Sequence, residues 1–146
     1  MARYWLFLSD PGRYHWDTLF VKGKEMWNGM KNSDALRYMK QVKKGDKVLC
    51  YHGAPDKLVY AMAEAASDSY LNPHDAAGKL LIVNLRAVQK LPRSVPYVEL
   101  KTNRRLRRMK FLAKSRLAVS PLAEEEYAEI LRMSGYVPPL GLSLLS

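Results

Sequence analysis

Among its 146 residues this chain has one cysteine, Cys50, and three histidines. A lone cysteine excludes an internal disulfide framework and fits a reducing compartment. His15, His52 and His74 lack the close spacing of metal ligands. Cys50 and His52 share a strand face, yet Cys50 lies in an apolar run, which fits an inert core thiol better than a nucleophile. No apolar stretch approaches the ~20 residues that cross a bilayer. Met1–Leu8 lacks the length and small-residue cleavage site of a secretory leader. The phosphate loop GxxxxGK[ST], the dinucleotide loop GxGxxG and the nucleophile elbow GxSxG are all missing. Acid is scarce as well: 14 Asp and Glu face 24 Lys and Arg, for a net charge of +10. That balance favours polyanionic partners.

A hydrophobic fraction of 48% and this length fit one folded domain over 1–146, with 135–146 as an apolar, proline-containing tail. Tyr4–Leu8 reads as a strand buried on both faces, stopped by the turn residues Ser9-Asp10-Pro11-Gly12. Trp16, Leu19 and Phe20 mark the inner side of a short helix. Ser33 to Gln41 reads as a second helix, and Lys47–His52 as a second strand. Leu58 to Ala66 is alanine-rich, but its turn-bounded flanks favour a strand. Lys79 to Gln89 reads as a fourth strand. Leu91–Pro96 reads as an extended linker leading to a short helix. Arg116–Pro121 is a last short strand. A closing helix, Ala123 to Met133, carries three glutamates in its first turn, where they complement the helix dipole. Few elements alternate as βαβ units. The expected class is α+β, a small barrel of about five to six strands with flanking helices.

From Leu100 to Ala123 there are eight basic residues and no acidic one. The helical wheel groups Leu106, Met109, Leu112 and Ala113 on one side. It spreads Arg104, Arg107, Arg108, Lys110 and Lys114 over the other, with Phe111 among them. One helix would then carry most of the excess charge. Like charges at i, i+4 repel, which sets a phosphate-binding role beside that of a merely solvated face.

Trp27-Asn28-Gly29-Met30-Lys31-Asn32 joins an indole, a glycine, a cation and two amides without apolar periodicity. Gly29 admits backbone angles closed to other residues, and Asn32-Ser33-Asp34 can cap the following helix. The stretch suits a pocket for a planar polar ligand. Taken alone, these six residues suit better still a buried Trp closing a loop over the core.

Tyr4-Trp5-Leu6-Phe7-Leu8-Ser9-Asp10-Pro11 resembles the opening Tyr-Trp-Leu-x-Lys-Ser-Glu-Pro of EVE domains. Trp27–Asn32 resembles that family's Trp-x-Gly-Val-Arg-Asn, and Ser115–Pro121 its Ser-Arg-Leu-Ser-Val-x-Pro. Trp16-Asp17, Lys44-Gly45-Asp46, Tyr51-His52 and Leu91-Pro92-Arg93 fall between them in order. The resemblance implies a PUA-like β-barrel related to YTH and ASCH domains. It further implies a non-catalytic reader of nucleic acid, taking a modified base, first of all a modified cytosine in DNA, into an aromatic pocket. On the matching positions the base pocket would comprise Ser9, Trp27, Asn32, Tyr51, His52, Leu117 and Ser120. Phosphates would fall to Lys31, Arg104, Arg105, Arg107, Arg108, Lys110, Lys114 and Arg116. Asp10 departs from the family's Glu, and Lys31 from its Arg, losing the planar fork. The reading needs no cofactor or metal, and expects a cytoplasmic monomer. Its rivals are an RNA-binding module for modified RNA and a small nuclease using His15 or His52.

Overall fold

The apolar strand β1 (Tyr4–Ser9) runs parallel to β3 (Lys47–His52) and antiparallel to β7 (Val119–Leu122). Its two edges are paired and a hydrophobic core covers each of its faces, which buries most of β1, as its unbroken apolar run requires. The computed structural model describes residues 2–28 and 33–139. Within them, β4 (Leu58–Ala65) pairs antiparallel with β3, and β6 (Leu81–Pro96) with β4. β2 (Lys24–Trp27) and the two-residue β5 (Tyr70–Leu71) both pair with β6. The sheet order is β2-β6-β4-β3-β1-β7, with β5 off this path. Five helices complete the described chain: α1 (Asp17–Lys22), α2 (Ser33–Met39), α3 (Tyr97–Thr102), α4 (Lys110–Ala113) and α5 (Glu124–Met133).

Each face of the sheet carries its own core. Trp5, Phe7, Val48, Cys50, Ala61, Ala63 and Val119 point to one face, where Trp16, Leu19, Ala35 and Met39 cover them. Leu6, Leu49, Tyr51, Val59 and Leu122 point to the other, against Leu100, Leu106, Phe111, Tyr127, Ile130 and Leu131. The alternation along β1, β3 and β7 is the period of two that strand geometry imposes.

The sheet curls without closing. β2 lies four strand spacings from β1, about 19 Å in a flat sheet. Yet the rings of Phe7 on β1 and Trp27 on β2 stack at 4.6 Å between centroids. Curvature of barrel type therefore brings the two together through the first core. Among the described residues no hydrogen-bonded ladder joins β2 to β7. The expected closed barrel of five to six strands is thus corrected to an open, strongly curved sheet of seven strands in an α+β fold. The small alanines of β4 suit that curvature, since they let the wall bend over the core without crowding it.

Three local readings change. Trp27 ends a strand, β2, instead of lying in a loop. Leu91–Pro96, read as linker, continues β6 to Pro96, with Leu91 and Val95 buried in the second core. A register shift between Val59 and Ala61 leaves Pro92 outside the ladder, where its missing N–H costs nothing. The basic stretch is not one helix. α3 ends at Thr102, Asn103 Oδ1 accepts the Arg105 N–H at 2.9 Å, and a single 3₁₀ turn (Arg104–Leu106) precedes α4. The cap ends the old helix and starts a new direction. The turns let Leu106, Met109 and Phe111 all reach the core, so Phe111 belongs with the apolar residues and not with the cations.

Candidate nucleic-acid interface

Short turns in place of one helix leave the cations fanned outward. Arg104, Arg105, Arg107, Arg108, Lys110, Lys114 and Arg116 are all exposed. Arg105 lies 3.7 Å from Glu129, and Lys114 donates to Asp34 at 2.6 Å. The other five make no ion pair among the described residues. Glu129 anchors the segment from beneath. It is buried on α5, accepts hydrogen bonds from Arg132 and from Asn103 Nδ2, and these hold its carboxyl down to about 2.

Two clefts flank the rib Ser115-Arg116. The first, of about 460 Å³, is lined by Asp34, Lys114, Ser115, Arg116 and Leu117. Leu117 is its apolar floor, and is buried in the same core as Trp27. The second, of about 390 Å³, lies among Leu8, Asp10, Tyr51, Gly53, Lys57, Tyr97 and Arg116. Both volumes fall in the range of small-molecule sites. Arg116 stands between them, free of any ion pair among the described residues.

The expected pocket residues do not all meet. Leu117 and Tyr51 line the two clefts, one each. Trp27 is only 4% exposed, stacked on Phe7 at 4.6 Å and near-parallel to Trp16 at 5.9 Å. An indole lying open to a base is thus not found in this conformation; curvature of the sheet turns Trp27 inward as a core residue. Ser9 is buried, and its Oγ donates to the Tyr14 carbonyl at 2.7 Å, tying the turn after β1. Asp10 serves that turn too, accepting the Gly12 N–H. Ser120 pairs with Leu6 across β7 and β1, so it faces the second core, away from Leu117. Its buried Oγ has no hydrogen-bond partner among the described residues. Lys31, Asn32 and the last residues of the tail, 140–146, lie outside the described residues.

His52 is likewise no wall of either cleft. It is 1% exposed, and its Nε2 accepts the Trp16 N–H at 3.0 Å. His15 lies tilted against it, 4.2 Å between ring centroids, and its own Nδ1 accepts the Asp17 N–H at 3.0 Å. Two imidazoles therefore cap consecutive amides where α1 begins, a helix whose N-cap residue, Trp16, offers no capping side chain. Burial first, then His15, pushes His52 down to about 4. His15, His52 and Asp56 present ligand atoms within 4.8 Å of one another. The cap argues against a metal there. With Nε2 accepting an N–H, the neutral ring carries its proton on Nδ1, the nitrogen that faces Asp56 at 3.8 Å. Binding a cation through Nδ1 would require breaking the cap.

Sequence reading passed over Asp34, Ser115, Lys57 and Tyr97 as site residues. Asp34 carried a signal, since it is the only acid between Gly29 and Lys44. Tyr97 and Lys57 come to the second cleft only through the tertiary fold.

Comparison with known proteins follows the same lines. A structure from Rhodopseudomonas palustris shares 31% identity and superposes with a TM-score of 0.88, over 97% of this chain and 99% of that one. Human THYN1, solved in complex with 5-methylcytosine-containing DNA, shares 21% identity with a TM-score of 0.82, over 94% and 100% of the two chains. The YTH domain of Zygosaccharomyces rouxii MRB1, solved with N6-methyladenosine RNA, shares the fold more distantly, at 13% identity and a TM-score of 0.56 over 95% and 90%. The EVE domain model matches residues 3–133. With the opening strand, the Trp27 stretch and the Ser115–Pro121 rib all inside that match, this chain belongs to the EVE domain family.

Proposed function

We propose that this domain binds nucleic acid without catalysis and inspects one modified base drawn out of the strand, a modified cytosine in DNA being the first candidate. The observation that carries the reading is the cleft floored by Leu117 and rimmed by Lys114 and Arg116, in a segment whose Arg104, Arg107, Arg108 and Lys110 are exposed and make no ion pair among the described residues. An apolar floor takes a base; a cationic rim takes the phosphates on either side of it. The family likeness to human THYN1, held in its complex on 5-methylcytosine DNA, supports the same class of ligand.

A reader that encloses a base must first extrude it, at a cost of a few kcal/mol. Trp27 does not offset that cost by direct stacking while its faces are covered by Phe7 and Trp16. In this reading it stiffens the core behind Leu117. The Arg116 guanidinium can lie flat on a base, and the neighbouring cleft with Tyr51, Tyr97 and Lys57 accommodates the adjoining nucleotide. Arg104, Arg107, Arg108 and Lys110 track the backbone. A hydrolytic role for His15 or His52 fits less well, because one ring nitrogen of each is occupied by a backbone N–H.

The test is a binding series with oligonucleotides identical except for one central base modification, prepared as DNA and as RNA. Preference for one modified strand, on top of steeply salt-dependent affinity for all of them, is the expected result. Affinity indifferent to both salt and modification overturns the proposal. Preference confined to RNA, as the YTH likeness would have it, transfers the reading to modified RNA.

A further inference from the structure

Asp34 is an acid in an otherwise basic mouth. Its side chain, 31% exposed, stands on α2 and reaches across the first cleft to Lys114, a residue 80 positions away. Lys114 Nζ donates to Asp34 Oδ2 at 2.6 Å, and Arg37 stands 3.6 Å from Oδ1. Lys114 foremost lowers the carboxyl's pKa, so it is an anion at neutral pH. An acid facing incoming phosphates weakens binding unless it contacts something else in the ligand.

The geometry points to Asp34 and Lys114 as a paired reader of base identity, accepting bases that present an exocyclic amine beside an unprotonated ring nitrogen and rejecting those that present a carbonyl beside a ring N–H. This inference rests on the function proposed above. Carboxylate beside ammonium presents acceptor, then donor. The pairing edge of cytosine presents amine, then bare ring nitrogen, which is donor, then acceptor. Adenine presents the same order. Thymine and uracil present the reverse, setting a carbonyl oxygen against the Asp34 carboxylate and a ring N–H against the Lys114 ammonium. Turning the base over would restore the match. Phosphate contacts fix the direction from which the base enters and deny it that option. Lys114 is 64% exposed, so its flexible stem can yield from Asp34 and meet the ring nitrogen as the base arrives. Leu117 below supplies the apolar surface that makes these polar contacts selective, because a mismatched polar edge there finds no compensating partner.

Two probes isolate this edge. Thymine is 5-methyluracil, so strands with 5-methylcytosine or thymine at one central position share the methyl group and differ only at the edge in question. Anisotropy titrations of the intact protein should show the 5-methylcytosine strand bound on the order of tenfold more tightly. Asp34→Asn presents either an amide oxygen or an amide N–H₂, so the ratio should fall to about twofold or less, with the steep salt dependence kept. Lys114→Met removes the donor that meets the ring nitrogen, so it should weaken the 5-methylcytosine strand more than the thymine strand and bring the ratio down to a fewfold; if Asp34→Asn does not fold, a ratio unchanged in folded Lys114→Met overturns the inference. A wild-type ratio near one, or a ratio that survives Asp34→Asn in folded protein, overturns this inference and leaves the reader function standing. Failure to bind either strand at any salt concentration overturns both.

Discussion

Trp27 and His52 show how one residue type serves two ends, decided by its surroundings. Trp27 lies in a stack with Phe7 and Trp16, so Trp27→Ala removes a large core side chain. Such truncations cost about 3–5 kcal/mol, and chemical denaturation should register a loss of that order. His52 makes the protein sensitive to acid. Its pKa is about 4 when folded, against 6.5 for an unperturbed imidazole, so the unfolded chain takes up the proton first. The stabilising share is whole above pH ~6.5 and is lost as pH falls towards about 4, reaching about 3 kcal/mol at most. Denaturation midpoints measured from pH 7.5 to 4.5 should therefore decline for the wild type. His52→Asn keeps an acceptor for the Trp16 N–H and should flatten that decline.

Among elements, the break between α3 and α4 matters most. Asn103 turns the chain, Glu129 holds Asn103 from α5, and the arginines between them are left pointing outward. Glu129→Ala removes the charged anchor and should cost about 2–3 kcal/mol. Since the folded carboxyl sits near 2 instead of the ordinary 4.5, that share is present above pH ~4.5 and disappears as pH falls through 2. The arginines carry a different prediction. Arg107→Glu with Arg108→Glu should weaken binding to every sequence alike and leave the preference for the modified base intact. Equilibrium titrations across several unrelated strands would check this; loss of preference alone would move these arginines into the base site.

At the scale of the whole molecule, charge and curvature work together. Of the 24 lysines and arginines behind the net charge of +10, eight lie between Leu100 and Ala123, where no acid offsets them, and Arg116 among these lines both clefts. Log affinity should fall linearly with log salt, by about 0.7 per neutralised phosphate on single strands. Arg116→Ala should lower that slope by about one such step and also weaken base preference, since Arg116 lines both clefts. A slope near zero would mean that the basic charge is incidental to whatever partner is bound.

Sequence alone determined the strands whose apolar content left no alternative, such as Tyr4–Leu8 and Lys47–His52, because burial on both faces demands an unbroken apolar run. It determined α5 through its spacing and acidic first turn, and the family through ordered motifs from residue 4 to beyond Pro121. It located the basic segment, since charge is read directly from composition. Tertiary structure decided which way those residues face. Whether Trp27 opens to a ligand or closes a core depends on curvature accumulated over four strand spacings, which no local pattern encodes. Whether Asp34 caps a helix or faces Lys114 depends on a contact 80 residues distant. The reach of β6 through two prolines, and the breaking of a regular-looking wheel at Asn103, followed from neighbours: a register shift against β4 in one case, and a carboxylate on α5 in the other.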